Sequence, residues 1–562
     1  MAFTTFLRMI GLCCMLFSPL EAGGAPADPT DPTPARQSAP PAVEPLTKAE
    51  AAAAAKSAGL VYTDEEIALA LPGVFENLRG YEAMRKITLE NSVIPAFTFS
   101  PLLPGVSSRA TPLEEAPYLL PEVERPADLT ELHFADIPTL ASLVKSRKVS
   151  CVELAELSLA RLRALDPTLL CVVSLTEERA LQTARALDAE LAEGKWRGPL
   201  HGIPYGAKDL FSARGAGTTW GAKPFEDQVI DEDATVIEKL EVAGAVLVAK
   251  LSLGALAMGD IWFGGKTRNP FDPKRGSSGS SAGSASAVAA GCVPFALGTE
   301  TLGSIISPGR RCGNSSIRPT FGRVSRHGGM ALSWTMDKVG PIARSMHDAA
   351  LVLSVIAGPD GEDPTVVDLP CPVPPLLDPK GWRIGVPKGA FARSARHKVV
   401  LDEIEALGAE IVEIELPEYP VWEMMVILHA EAAAAFDDLT RSGVDDELTA
   451  QTADAWPNLF RIARLIPAVE YIRASRLRTL LARDMHTLMG QVDLFVVPAY
   501  DGPSLGITNL TGHPAAIAPC GAHGDGRPYS VVFVGQLFDE PRLAGFVRAW
   551  QESTGHHKNH PK

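Results

Sequence analysis

Three polar groups between Gly202 and Ser325 stand in settings that packing alone does not explain. Lys208 closes the stretch Gly202-Ile-Pro-Tyr-Gly-Ala-Lys-Asp209, directly after a short apolar, glycine-bearing run. An average lysine is a solvated surface charge. Burial would instead drive its pKa down from ~10.4 and turn it into a usable base. Lysine tolerates such a shift where arginine does not. The second group is the serine run from Arg275 to Gly291, with hydroxyls at positions 277, 278, 280, 281, 284 and 286. Gly/Ser runs commonly serve as flexible linkers. This one passes straight into the small-residue helical pattern Ala282–Ala290, which suits close packing rather than a tether. The third is Leu297-Gly-Thr-Glu-Thr-Leu-Gly-Ser304, where a strand-like run from Val293 ends in a glycine-bearing turn. Successive backbone N–H groups in such a turn can converge on a developing oxyanion beside a hydroxyl nucleophile. Taken alone, that turn is equally a tight turn with a capping serine.

The elements that must hold these groups are readable in outline. Short apolar runs at Cys171–Leu175, Gly244–Ala249, Trp382–Val386, Ile411–Ile414 and Leu494–Pro498 predict strands. They alternate with helical patterns at Thr176–Gly194, Ala234–Ala243, His347–Ala357 and His397–Leu407. Such alternation predicts an α/β fold with a mixed central sheet. The main body starts near Leu129, so one large domain spans 128–555, and 422–489 reads as a helical insertion on the substrate side. Before it, 46–127 forms an N-terminal extension that reads as mostly helical, opened by the capping box Thr63-Asp-Glu-Glu66. Residues 1–24 have one early Arg8, the apolar run Met9–Phe17 and a small-residue end, the form of a cleaved secretory signal. That run is too short to span a bilayer. Residues 25–45 are a Pro/Ala-rich linker and 556–562 a polar, solvated tail.

Composition limits the partners. The 562 residues carry a formal charge of −15, which disfavours nucleic acid. Apolar residues at 46% and charged residues at 21% are the usual mix of a soluble globular protein, and no stretch beyond the N-terminal run is long and apolar enough to predict a stable membrane span. Beyond the signal segment the six cysteines are scattered with no CxxC pair, so they read as buried thiols rather than a zinc site. The sequons at Asn314 and Asn509 fall inside core motifs.

These motifs, in this order, make the chain resemble the amidase signature family from about Leu129 to Trp550. Besides the three groups, the matching stretches are Thr267-Arg-Asn-Pro270, Arg318-Pro-Thr-Phe-Gly-Arg-Val-Ser325, Asp337-Lys-Val-Gly-Pro341, Asp348-Ala-Ala, Asn509-Leu-Thr-Gly-His-Pro514 and Phe538-Asp-Glu540. The resemblance implies an amidase domain with a mixed sheet covered by helices on both sides and a Ser–cisSer–Lys triad. Counting back from Ser304 and aligning the stretch after Gly283 both pick Ser280 as the cis-serine, leaving Ser304 as nucleophile and Lys208 as base. It further implies an oxyanion hole from the N–H groups of Thr301, Leu302, Gly303 and Ser304, and no metal or organic cofactor. The substrate is then a small-molecule amide and the enzyme a monomer or homodimer, which the signal-like segment 1–24 predicts to be secreted or periplasmic. Two positions depart from the family: Leu302 stands where a second glycine is usual, and Ile306 where arginine is common. A required positive φ at Leu302 would strain it, and loss of the arginine removes an anion partner, unless Arg310 or Arg311 supplies one. The acyl pocket is expected from residues between about 420 and 515.

Three rival readings remain. Gly279-Ser-Ser-Ala-Gly283 fits the G-x-S-x-G elbow of an α/β-hydrolase with Ser281 as nucleophile. The A subunit of a glutamyl-tRNA amidotransferase shares the resemblance, and a non-catalytic binding protein could keep the scaffold.

Overall fold

The computed structural model describes residues 46–562, apart from 106–107, 111–112, 114–117, 393–394, 500–501 and 562. The expected signal segment 1–24 and linker 25–45 lie outside the described residues. The described residues form two compact units, one of 46–55 with 61–87 and the other of 56–60 with residues from 88 onward. In the first, helices run over Lys48–Ser57 and Asp64–Met84. The second helix starts at the Thr63/Glu66 capping box, with Pro72 inside it. The helical character expected of 46–127 ends there. Described residues from 88 to 127 form neither helix nor strand, a stretch punctuated by Pro95, Pro101, Pro104, Pro121 and Pro126. Proline lacks the N–H a helix needs and restricts the residue before it.

The second unit is built on an eleven-stranded mixed sheet with helices around it. Its strands are β1 (Val172–Leu175), β2 (Pro204–Lys208), β3 (Val246–Leu251), β4 (Phe295–Glu300), β5 (Ser315–Arg318), β6 (Lys338–Ala343), β7 (Arg383–Pro387), β8 (Glu410–Ile414), β9 (Leu494–Pro498), β10 (Ala515–Ala522) and β11 (Pro528–Gly535). Their order across the sheet is β1-β3-β2-β4-β6-β5-β10-β11-β9-β7-β8. Strands β3, β2 and β4 are mutually parallel, whereas β4, β6, β5, β10 and β11 pair antiparallel in turn. Every residue of β2 and β3 is buried, which explains their near-continuous apolar runs. The parallel register of β2 on β4 sets Ala207 opposite Leu297, so Lys208 and Thr299 emerge side by side at the same end of the sheet.

The serine run is not a linker. It leads into the helix Ala282–Ala289, all eight residues of which are buried. Small side chains allow this close approach: a β-carbon at Gly283 would lie 2.4 Å from the Cys171 carbonyl oxygen. Helices also occupy Val426–Ala435, Asp437–Ser442, Trp456–Ala463 and Ala468–Met489. Among the described residues no helix is long and apolar enough to cross a membrane. Cys151, Cys171, Cys292, Cys312, Cys371 and Cys520 are all free thiols. Asn314 and Asn509 are fully buried, out of reach of glycosylation. The tail is less solvated than its composition suggests, because His556 pairs with Glu403 at 2.8 Å and His560 stacks on Phe134.

Candidate active site

Lys208 ends β2 and is fully buried. Its Nζ donates to Ser280 Oγ at 2.8 Å and to Thr299 Oγ1 at 2.7 Å, so both partners are hydroxyls. The neighbouring carboxylate is occupied elsewhere: Asp209 pairs with Lys250 at 2.7 Å and accepts from the Thr219 N–H and hydroxyl. Burial pushes the Lys208 ammonium down to about 7, against the raising influence of Asp337 and Glu300. A lysine so placed is uncharged for much of its time at neutral pH.

The peptide bond Gly279–Ser280 is cis. The serines around it are individually engaged. Ser278 shares a hydrogen bond with Ser307 at 2.6 Å, Ser284 donates to the Leu297 carbonyl and Ser286 to that of Arg268. Ser281 precedes the buried helix without capping it. Its hydroxyl donates to the Thr299 carbonyl and accepts the Thr299 N–H, both at 3.1 Å, while its own N–H donates to the Ser304 carbonyl at 3.2 Å. Ser281 therefore stitches the serine run to β4 and the turn beyond it. This two-way backbone clamp is not the exposed elbow of an α/β-hydrolase.

Ser304 lies half-buried in the turn between β4 and the helix Ile306–Cys312. The turn is organised by Glu300, the last residue of β4. Its Oε2 accepts the N–H groups of Ile305 and Ile306 at 2.9 Å each, and its Oε1 accepts from Arg318 and Asn509, also at 2.9 Å. Arg318 reaches on to the His513 carbonyl at 2.8 Å. Burial alone would raise the Glu300 carboxyl, but Arg318 and these donors outweigh it and hold it at about 2. The motifs around Arg318 and Asn509 thus converge on one permanently charged carboxylate. By contrast, among the described residues no hydrogen bond is donated by the N–H groups of Thr301, Leu302, Gly303 or Ser304. The left-handed position in the turn is Gly303, with φ 90°, and not Leu302. Leucine at 302 consequently carries no such strain. Ile306 is buried core, and Arg310 and Arg311 are exposed on the following helix.

A cavity of about 560 Å³ reaches Thr299 and Thr301. Its walls come from Leu210, Phe211, Trp220, Met330, Trp334 and Val339 and from Glu90 to Ile94. Asp337 clamps one wall, accepting from Thr301 Oγ1 at 2.5 Å and from the N–H groups of Leu332 and Ser333. Among the described residues, none of those lining it comes from 420–515, the region from which the sequence leads one to expect the acyl pocket. That region stands one layer back. Phe436 packs edge-on to Trp220, and Trp456 Nε1 donates to the Leu256 carbonyl at 2.8 Å.

Residues 153–507 match the family model described as Amidase. The chain belongs to the amidase signature family. The A subunit of the glutamyl-tRNA(Gln) amidotransferase of Chloroflexus aggregans is 34% identical over 487 residues, covering 77% of this chain and 99% of the relative. Among solved structures, the native peptide amidase of Stenotrophomonas maltophilia superposes with a TM-score of 0.69 at 28% identity, covering 76% of this chain and 98% of that one. The corresponding amidotransferase chain of Thermotoga maritima does so with a TM-score of 0.64 at 26% identity, over 77% and 97%. Family membership makes the chain an enzyme acting on amide C–N bonds, by hydrolysis or amidotransfer. Of the residues around Lys208, sequence reasoning missed Thr299. The only signal was its place two residues beyond Leu297 on the strand that pairs with Lys208's own.

Proposed function

We propose that this amidase hydrolyses carboxamides through a Ser304–Ser280–Lys208 triad. The observation that carries the reading is a fully buried lysine held by two hydroxyls, one of them on Ser280, beside a turn whose N–H groups donate to nothing among the described residues. Neutral Lys208 takes the proton of Ser280 Oγ as Ser280 takes that of Ser304, and Ser304 Oγ attacks the carbonyl carbon. The N–H groups of Thr301, Leu302, Gly303 and Ser304 receive the oxyanion, a contribution of roughly 10²–10³ in rate per donor. As the C–N bond breaks, the proton returns through Ser280 to the leaving nitrogen. Water then cleaves the acyl ester along the same relay, releasing the carboxylate. Likeness to a peptide amidase makes peptide amides a first substrate class to assay. Hydrolysis of an amide and ester panel by the mature protein, abolished in Lys208→Ala, supports the reading; activity unchanged in that variant overturns it.

The form of residues 1–24 supports export to a periplasmic or extracellular site. N-terminal sequencing of protein recovered from the native host tests this, with cleavage near Ala25 expected and an intact Met1 against it. A second reading, an A-type component of an amidotransferase, draws on the 34% identity to such chains. Glutaminase activity that appears only when the other components of such a complex are added would favour it.

A further inference from the structure

Building on the amidase reading, we infer that the cavity reaching Thr299, the hydroxyl partner of Lys208, receives the substrate, and that the segment Glu90–Ile94, pinned in place by Asn91, is its specificity-determining wall. Residues 90–94 lie outside the stretch, 153–507, that matches the family model, so the family core does not supply this wall. Glu90, Asn91, Ser92 and Ile94 all line the cavity that reaches Thr299 and Thr301.

The attachment is specific. Asn91 Nδ2 donates to the Ala331 carbonyl at 3.0 Å, and Asn91 Oδ1 accepts the Ala331 N–H at 2.7 Å. One side-chain amide thereby satisfies both backbone groups of a single residue, as a neighbouring strand would. The next residue, Leu332, donates its N–H to Asp337, whose other oxygen accepts the Thr301 hydroxyl. Three short links therefore connect the strap to the turn that carries Ser304. Farther along, Phe99 lies 3.4 Å beneath the Arg478 guanidinium, which in turn donates to Thr335. The strap is thus fastened beyond the cavity as well as at it.

A cavity of about 560 Å³ falls in the range used by drug-sized ligands. Trp220, Phe211, Trp334 and Met330 stand on the other walls beside the charged Glu232, Arg326, Glu362 and Asp363, so the apolar part of the substrate, the part that meets Ile94, is aryl or branched aliphatic. Such an amide gains binding energy from the strap, whereas a short aliphatic amide cannot reach it.

The test compares kcat and KM for a bulky aryl amide and a short aliphatic amide in the full-length protein, Asn91→Ala and Ile94→Trp. Asn91→Ala is expected to raise KM for the aryl amide about fivefold while its kcat changes less than about twofold. Ile94→Trp leaves every Asn91 hydrogen bond in place and is expected to lower the aryl-to-aliphatic ratio of kcat/KM about tenfold. A ratio constant within about twofold in both variants, or an equal loss on both amides, overturns the inference. Turnover of neither amide by the unaltered protein defeats the hydrolytic reading instead. The strap is then judged by binding of the same aryl amide, read from the fluorescence of Trp220 and Trp334. Weaker binding by Ile94→Trp upholds it; equal binding, or none to either protein, overturns it.

Discussion

Lowering the pH titrates the proposed base directly. Burial moves the Lys208 pKa from 10.5 to about 7, a change worth about 5 kcal/mol against the charged form. Because the folded-state pKa is depressed, the neutral amine predominates above about pH 7 and vanishes below it. At pH 8 about nine-tenths of the molecules hold a neutral Lys208, at pH 7 about half, and at pH 5 about one in a hundred. The rate of amide hydrolysis should therefore fall with unit slope below pH 7 and lie about a hundredfold under its plateau at pH 5. Glu300 cannot produce this limb in that window, since its carboxyl is held at about 2. The assay is kcat/KM on one amide from pH 5 to 9, with circular dichroism confirming the fold at each end. A profile flat from pH 5 to 8, or a limb centred near pH 10, would refute the assignment of Lys208 as the neutral base.

Three further substitutions probe the same assembly. Ser280→Ala would break the proposed relay between Lys208 and Ser304, so kcat should fall about 10²–10⁴-fold with KM little changed; steady-state kinetics on an amide decides it. Thr299→Val removes a hydroxyl that accepts from the Lys208 ammonium. Without that support the charged form is less favoured, and the acid limb of the pH–rate profile should move to lower pH. Glu300→Ala leaves the buried Arg318 without its counter-charge and frees the Ile305 and Ile306 N–H groups. Urea denaturation should show a loss of about 3–5 kcal/mol, and an unchanged midpoint would contradict its role as the hub of the turn.

The residues proposed to carry the chemistry are legible because they sit in local patterns. A lysine after an apolar strand, a serine run entering a small-residue helix and a serine in a glycine turn can each be read within about a dozen residues. What escapes depends on distant contacts. Glu300 looks like one more acidic residue until Arg318, Asn509 and the Ile305 and Ile306 N–H groups converge on it. Thr299 is significant only through the register that sets β4 beside β2. Leu302 looks strained in the sequence because a sequence cannot say which turn residue takes positive φ, and that residue is Gly303. The cavity that reaches Thr299 and Thr301 takes walls from near Trp220, Met330 and Trp334 and from a proline-rich strap with no periodicity to mark it, so no local pattern announces that cavity in the sequence.

Trapping the acyl group on its nucleophile separates Ser304 from the other candidate serines. An activated ester or amide turned over by the protein and quenched in acid should leave a covalent acyl adduct, located by peptide mass mapping. The adduct is expected on Ser304, lost in Ser304→Ala together with activity. An adduct on Ser280 or Ser281, or full activity retained in Ser304→Ala, would contradict it.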